Sequence, residues 1–174
     1  LPWDSSDGME HRNSTALTSP LAIRTGRSDL LDAIAHEFFH CWNVERIRPR
    51  SLEPFNFDDV NMSGELWLAE GFTSYYGPLA LQRAGLTTLT EFTADISEAV
   101  DTVLSNGARQ VRTAEEMSRY APFFDNATAI DPTAMERTFI SYYAWGQAIA
   151  LGLDLTLRER TNGRGACARC ACTA

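Results

Sequence analysis

Little in this sequence points toward a membrane or a nucleic acid. No apolar run approaches the length of a membrane span, and the N-terminus lacks a basic-then-apolar leader pattern. A membrane is therefore not an expected partner. The compartment stays open between cytoplasm and periplasm, because a leader can be removed. Basic residues are outnumbered 15 to 23, for a net charge of −8. Phosphate binding needs a basic surface, so nucleic acid is not an expected partner either. Cysteine is scarce: Cys41 stands alone, and Cys167, Cys170 and Cys172 crowd the last eight residues. That distribution does not make a disulfide framework. Cys167 and Cys170 have C-x-x-C spacing, but no second pair nearby completes a tetrahedral metal site. Internal repeats and long linkers are also missing. What remains is an ordinary globular composition, 44% hydrophobic and 22% charged over 174 residues, enough for one domain with a core.

Residues 1–27 are rich in Ser, Thr, Gly, Asp and Pro, with short polar–apolar alternation in "MEHRNSTAL". They read as loops around one or two short strands. From Ser28 the pattern turns helical. Ser28 is the expected cap of a helix through "DLLDAIAHEFFHCW", with Asp29 in its first turn. A loop of nearly twenty residues, "RIRPRSLEPFNFDDVNMSG", follows. A second helix is expected from about Glu65 to Ala84, capped by Gly85 and kinked or interrupted at Gly77-Pro78. Thr88 with Glu91, and Thr113 with Glu116, make capping-box patterns for a third helix to about Ser105 and a short one ending near Pro122. The stretch "NATAIDPTAMER" reads as irregular. A last helix spans roughly Ser141–Arg160 and stops at Asn162-Gly163. The fold class is mainly α with a short β element at the N-terminus.

The chemistry concentrates in "HEFFHCW", residues 36–42. Positions four apart on an α-helix differ by about 40° around the axis, so His36 and His40 project from one face and can reach one ion. Glu37 is turned by about 100° from His36, where it flanks such an ion and can take a proton from an activated water. Ala33, Ile34, Ala35, Phe38 and Phe39 predict a buried helix, in which unpaired polar groups cost several kcal/mol. A metal ion would supply the partner. The third ligand is sought among acids on a neighbouring helix. Glu70 stands alone in the uncharged "LWLAEGF", whereas Glu65 sits at a helix start, where an exposed acid is ordinary. Gly71 beside Glu70 would permit close approach of the first helix. Two imidazoles and a carboxylate suit Zn²⁺ and leave a coordination position open. Cys41 follows His40 directly, so its side chain points away from the ligand face.

"AIAHEFFHCWNVERIRPRSLEPFNF" followed by "LWLAEGFTSYY" resembles the glycyl aminopeptidase family, zinc peptidases of the gluzincin group. The resemblance extends through "TFISYYAWGQAIALGLDLTLRER". It implies a thermolysin-like zincin catalytic domain, Zn²⁺ as cofactor, and His36, His40 and Glu70 as its ligands with Glu37 as base. "GMEHRNS" is similar to the family's strand motif, which implies that Glu10 grips the substrate's free α-amino group. Such a charge-assisted hydrogen bond is what an exopeptidase needs. Tyr143 matches the tyrosine that stabilises the oxyanion, although Trp145-Gly146 stand where relatives have Lys-Gly. Tyr142 is its competitor. The acid that often follows the glutamate ligand by one turn is replaced by Ser74, so Asp32 is considered as a substitute partner for the histidines. Arg46, Arg48 and Arg50 read as a solvated loop face, with a role against a substrate carboxylate as the rival.

The implied activity is zinc-dependent removal of N-terminal residues, Gly or Ala, from peptides with a free N-terminus. The rival reading is an inactive or truncated metal-binding or peptide-binding module; an endopeptidase is a third. Family members carry an N-terminal β domain and usually a PDZ-like domain that are not recognised here. Residues 1–163 are therefore expected to be a partial catalytic domain and residues 164–174 a disordered or non-native tail. Apolar surface left exposed in such a fragment would favour homo-oligomers.

Overall fold

The computed structural model describes residues 6–124 and 137–163. The tail, and all but the last residue of "NATAIDPTAMER", lie outside the described residues. The chain opens with an antiparallel hairpin of β1 (Asp7–His11) and β2 (Ser14–Thr18), in which Gly8 faces Leu17 and Glu10 faces Thr15. Strand periodicity puts Gly8 and Glu10 on one face, and these two are the less exposed residues of β1. That face contacts the first helix.

The first helix, α1 (Arg27–Phe39), is capped by Gly26 rather than Ser28, and no side chain bonds at the cap. The Thr25 and Gly26 N–H groups both donate to the Ala22 carbonyl at 2.9 Å. This turn starts the helix two residues early and leaves Ser28 inside the first turn, beside Asp29. The helix ends at Phe39, short of Trp42, but His40 keeps right-handed helical dihedrals (φ −61°, ψ −14°). The two histidines therefore retain their helical relation. The expectation of a fully buried helix is corrected. Glu37 and His40 are buried, while Ile34, Phe38 and Trp42 are exposed by 40% or more along the opposite face.

The second helix, α2 (Leu66–Arg83), runs on through Gly77-Pro78 without interruption. Proline removes one N–H from the ladder, but packing on both sides holds the helix. Its buried residues run from Ala69 through Tyr75 to Leu81, the pattern of a helix covered on more than one face. Gly85 follows its end with φ +72°, the left-handed conformation of a C-terminal cap. The third helix, α3 (Leu89–Ser105), and the short α4 (Ala114–Arg119) both start with complete capping boxes, at Thr88/Glu91 and Thr113/Glu116. A further turn, α5 (Ala121–Phe124), precedes the last helix, α6 (Tyr142–Arg160).

Among the described residues the most extensive contact joins α2 to α6. A Cβ built on Gly71 would lie 2.3 Å from the Gly146 Cα, and one on Gly146 would lie 1.8 Å from the Trp67 carbonyl oxygen. Gly71 thus admits α6, not α1 as expected; Gly77 is the glycine of α2 that faces the α1 backbone at Ala35 and His36. One apolar cluster, Tyr75, Leu79, Ile96 and Ala150, joins α2, α3 and α6. Another, Val103, Ala108, Met117 and Ile140, closes the far end of α3 against α4. Among the described residues no helix is long and apolar enough to cross a membrane.

Candidate metal centre

Three side chains from α1 and α2 converge on one point. His36 Nε2 lies 3.1 Å from Glu70 Oε2, His40 Nε2 lies 3.3 Å from the same oxygen, and the two imidazole nitrogens are 3.1 Å apart. A proton can bridge one pair of these atoms but cannot satisfy all three at once. A cation can. Bond lengths of about 2.0–2.2 Å to nitrogen and oxygen put the donors of a tetrahedral zinc roughly 3.3–3.5 Å apart. The observed triangle is within a few tenths of an ångström of that size, so the residues fit the ion.

The electrostatics favour positive charge at this point. Burial works against a charged His40, but the hydrogen bond and charge of Glu70 outweigh it and lift its pKa to about 9. Burial would likewise raise Glu70, yet hydrogen bonds from His36 and His40 hold it at about 2. Glu65, the competing acid, is elsewhere. It caps α2 and accepts from Ser51 Oγ at 2.6 Å and Ser63 Oγ at 2.8 Å, which lower its pKa in that order of weight. Among the described residues, neither group of side chains able to hold a metal includes Cys41 or His11.

Glu37 is buried beside the triangle, and its Oε2 has no hydrogen-bond partner. Burial pushes this carboxyl above its ordinary range; the charges of His36 and His40 pull it back, while Glu10 and Glu70 add to the rise. The hairpin fixes where Glu37 sits. A Cβ on Gly8 would fall 2.2 Å from Glu37 Oε1, so only glycine leaves room for the carboxylate there. Glu10, two residues further along the same face, joins Glu37 and His40 in a group whose ligating atoms lie within 4.8 Å of one another.

Tyr143 lies in the first turn of α6, and its ring centroid lies 6.0 Å from that of His36. It is 36% exposed, whereas Tyr142 is buried at 2%. The half-open position beside the histidine belongs to Tyr143. The suggested second partner, Asp32, lines a cleft with His36 and Asp95, and burial together with Asp95, Asp29 and Glu91 raises its pKa. The group that orients His40 is instead the backbone carbonyl of Asn43, 2.7 Å from Nδ1. Thr73 Oγ1 is a longer 3.5 Å away. Sequence reasoning missed Asn43 as a member of the site, its one signal being closeness to His40; Gly8 was read as part of the "GMEHRNS" motif, but not as the residue that makes room for Glu37. Arg46 donates to the Cys41 carbonyl, and Arg48 pairs with Glu45 and Glu53 at 3.7 and 3.4 Å, so both tie down the loop after α1.

Residues 29–149 match the family model of the M61 glycyl aminopeptidases. The fold is similar to the crystal structure of an aminopeptidase N family protein from Idiomarina loihiensis, with a TM-score of 0.82 and 28% identity over 96% of this chain. The chain spans 30% of the length of that protein. No curated protein sequence matches the chain.

Proposed function

The chain belongs to the M61 glycyl aminopeptidase family, and we propose from this premise that it is the core of a zinc-dependent aminopeptidase. The observation that supports this most is the convergence of His36, His40 and Glu70 beside a buried, unpartnered Glu37 oxygen. His36, His40 and Glu70 would hold the ion, and zinc so bound polarises a carbonyl and makes water a usable nucleophile near neutral pH.

The protein's own groups do the rest. Glu37 takes a proton from the attacking water at Oε2 and returns it to the leaving amine, as a buried carboxylate with a raised pKa is suited to do. Tyr143 directs its phenol at the developing oxyanion. Glu10 accepts a charge-assisted hydrogen bond from the substrate ammonium. Glu10 lies in one group with Glu37 and His40, close enough to hold a substrate ammonium beside the metal ligands, which favours an exopeptidase over an endopeptidase. The preference for N-terminal glycine or alanine rests on family membership.

Metal analysis of a preparation made without chelators, with hydrolysis of glycyl and alanyl anilides, tests this reading. About one zinc per chain is expected, because the two candidate groups of three ligands share His40, with cleavage of free but not acetylated peptides. Absence of metal would sink the ligand assignment, and equal cleavage of acetylated peptides would remove the role of Glu10. A further expected outcome concerns the hairpin. Gly8→Ala should displace the Glu37 carboxylate by about 1 Å or more and lower kcat by about 100-fold, since misplacement on that scale costs about that much. Zinc content should not change. An unaltered kcat would show that the hairpin does not position the base.

A further inference from the structure

Asn43 makes two sets of contacts at once, both directed at the metal site. Its carbonyl accepts from His40 Nδ1 at 2.7 Å. Its side-chain Nδ2 donates to the carbonyls of Leu68 and Ala69, at 2.9 and 2.8 Å, and approaches Thr73 Oγ1 at 3.1 Å. With three acceptors around it, this atom is the amide nitrogen; an oxygen there would face two carbonyls unpaired. Thr73 spends its own proton on Ala69 at 2.7 Å, which leaves its lone pair toward Asn43. Leu68 and Ala69 lie immediately before Glu70. A single buried residue thus ties the loop after His40 to the turn that presents Glu70. The backbone beside it is also unusual: Val44, a β-branched residue, has φ +131°, a conformation held against its preference. Strain of this kind persists only where surrounding contacts enforce it, and the Asn43 bonds are such contacts.

We propose that Asn43 is a positioning residue that sets His40 as the Nδ1–H tautomer, with Nε2 free to ligate, and holds it in register with Glu70. The proposal rests on the zinc reading above. It predicts that the side-chain amide matters although the carbonyl that touches His40 belongs to the backbone: without the tie to α2, the loop is released and the carbonyl leaves its place.

Zinc affinity measured by competition with a chromophoric chelator tests it on the full chain. Asn43→Asp keeps the volume but cannot donate to two carbonyls, and Asn43→Ala removes the tie without adding charge. Each is expected to weaken zinc binding about 10–100-fold, the usual effect of losing a group that orients a ligand imidazole. Nitrogen-15 NMR of the zinc-loaded protein should show the proton on His40 Nδ1 in the parent and a weakened hydrogen bond there in the variants, a change that general loss of stability does not produce. Variants that bind zinc as tightly as the parent would overturn the proposal. A parent that binds no zinc would instead overturn the ligand assignment. Should both variants fail to fold, the parent decides: the His40 Nδ1–H and the Asn43 amide protons must exchange slowly with solvent, and fast exchange refutes the latch.

Discussion

Replacing Glu37 by Gln is expected to lower peptide turnover by about two to four orders of magnitude while zinc content stays that of the parent, because in the proposed mechanism it removes the general base and no ligand. The two side chains have nearly the same shape, so the tight fit against Gly8 is preserved and the fold should not notice. What changes is chemistry at one atom. Glu37 Oε2 is buried with no hydrogen-bond partner, a place where an acceptor is of use only if a proton arrives from outside the protein. An amide there cannot take that proton from water and carry it to the leaving amine. kcat, KM and bound zinc should be measured on the same preparation. A loss of zinc together with activity would mean that Glu37 supports the metal rather than the proton transfer, and an unchanged kcat would remove it from the mechanism.

Gly146→Ala is expected to destabilise the domain by about 3 kcal/mol or more, at the upper end for overpacking a close-fitted interior. The added methyl would sit 1.8 Å from the Trp67 carbonyl oxygen, and backbone at a helix crossing cannot swing aside as a side chain can. Relief would require α2 and α6 to separate, and theirs is the most extensive interface among the described residues. Helix propensity pulls the other way by about 1 kcal/mol and does not decide the sign. For a chain of this size the midpoint of thermal unfolding should fall by about 6–12 °C. Gly152→Ala on the same helix is the control. A Cβ there meets nothing within 4 Å, so propensity alone acts and the variant should gain about 0.5–1 kcal/mol. Equal behaviour of the two variants would show that the close crossing is not maintained in solution. Gly146→Ala should also impair turnover, because Tyr143 sits on the same helix beside His36.

Several parts of the site were legible from residue order alone. The spacing of His36 and His40 is a helical statement, true of any α-helix that contains them. Glu70 was legible as the acid that meets the histidines, because a lone carboxylate in an apolar helix needs a charged partner, whatever that helix packs against. The capping boxes at Thr88 and Thr113 are local chemistry and form as read. Other readings turned on which surfaces meet, and there local rules had less to offer. Gly71 was matched to the wrong helix: its need for a close neighbour is local, but the neighbour's identity is not. Ile34 and Phe38 look like core from composition, yet they lie on the side of α1 away from α2 and the hairpin. Pro78 breaks an isolated helix, whereas packing on both sides carries α2 through it.

The residue types and their helical periods were enough to specify the mainly helical fold, the histidine pair with its adjacent glutamate, and the need for an acid from a second helix. Tertiary structure alone decided that Gly8 confines Glu37, that Gly71 meets Gly146, and that Asn43 rather than a carboxylate orients His40. The reason is physical. Local spacing follows from backbone geometry within a turn or two, but a close approach or a hydrogen bond to a main-chain carbonyl depends on where a distant segment comes to rest, and any residue type can supply that carbonyl.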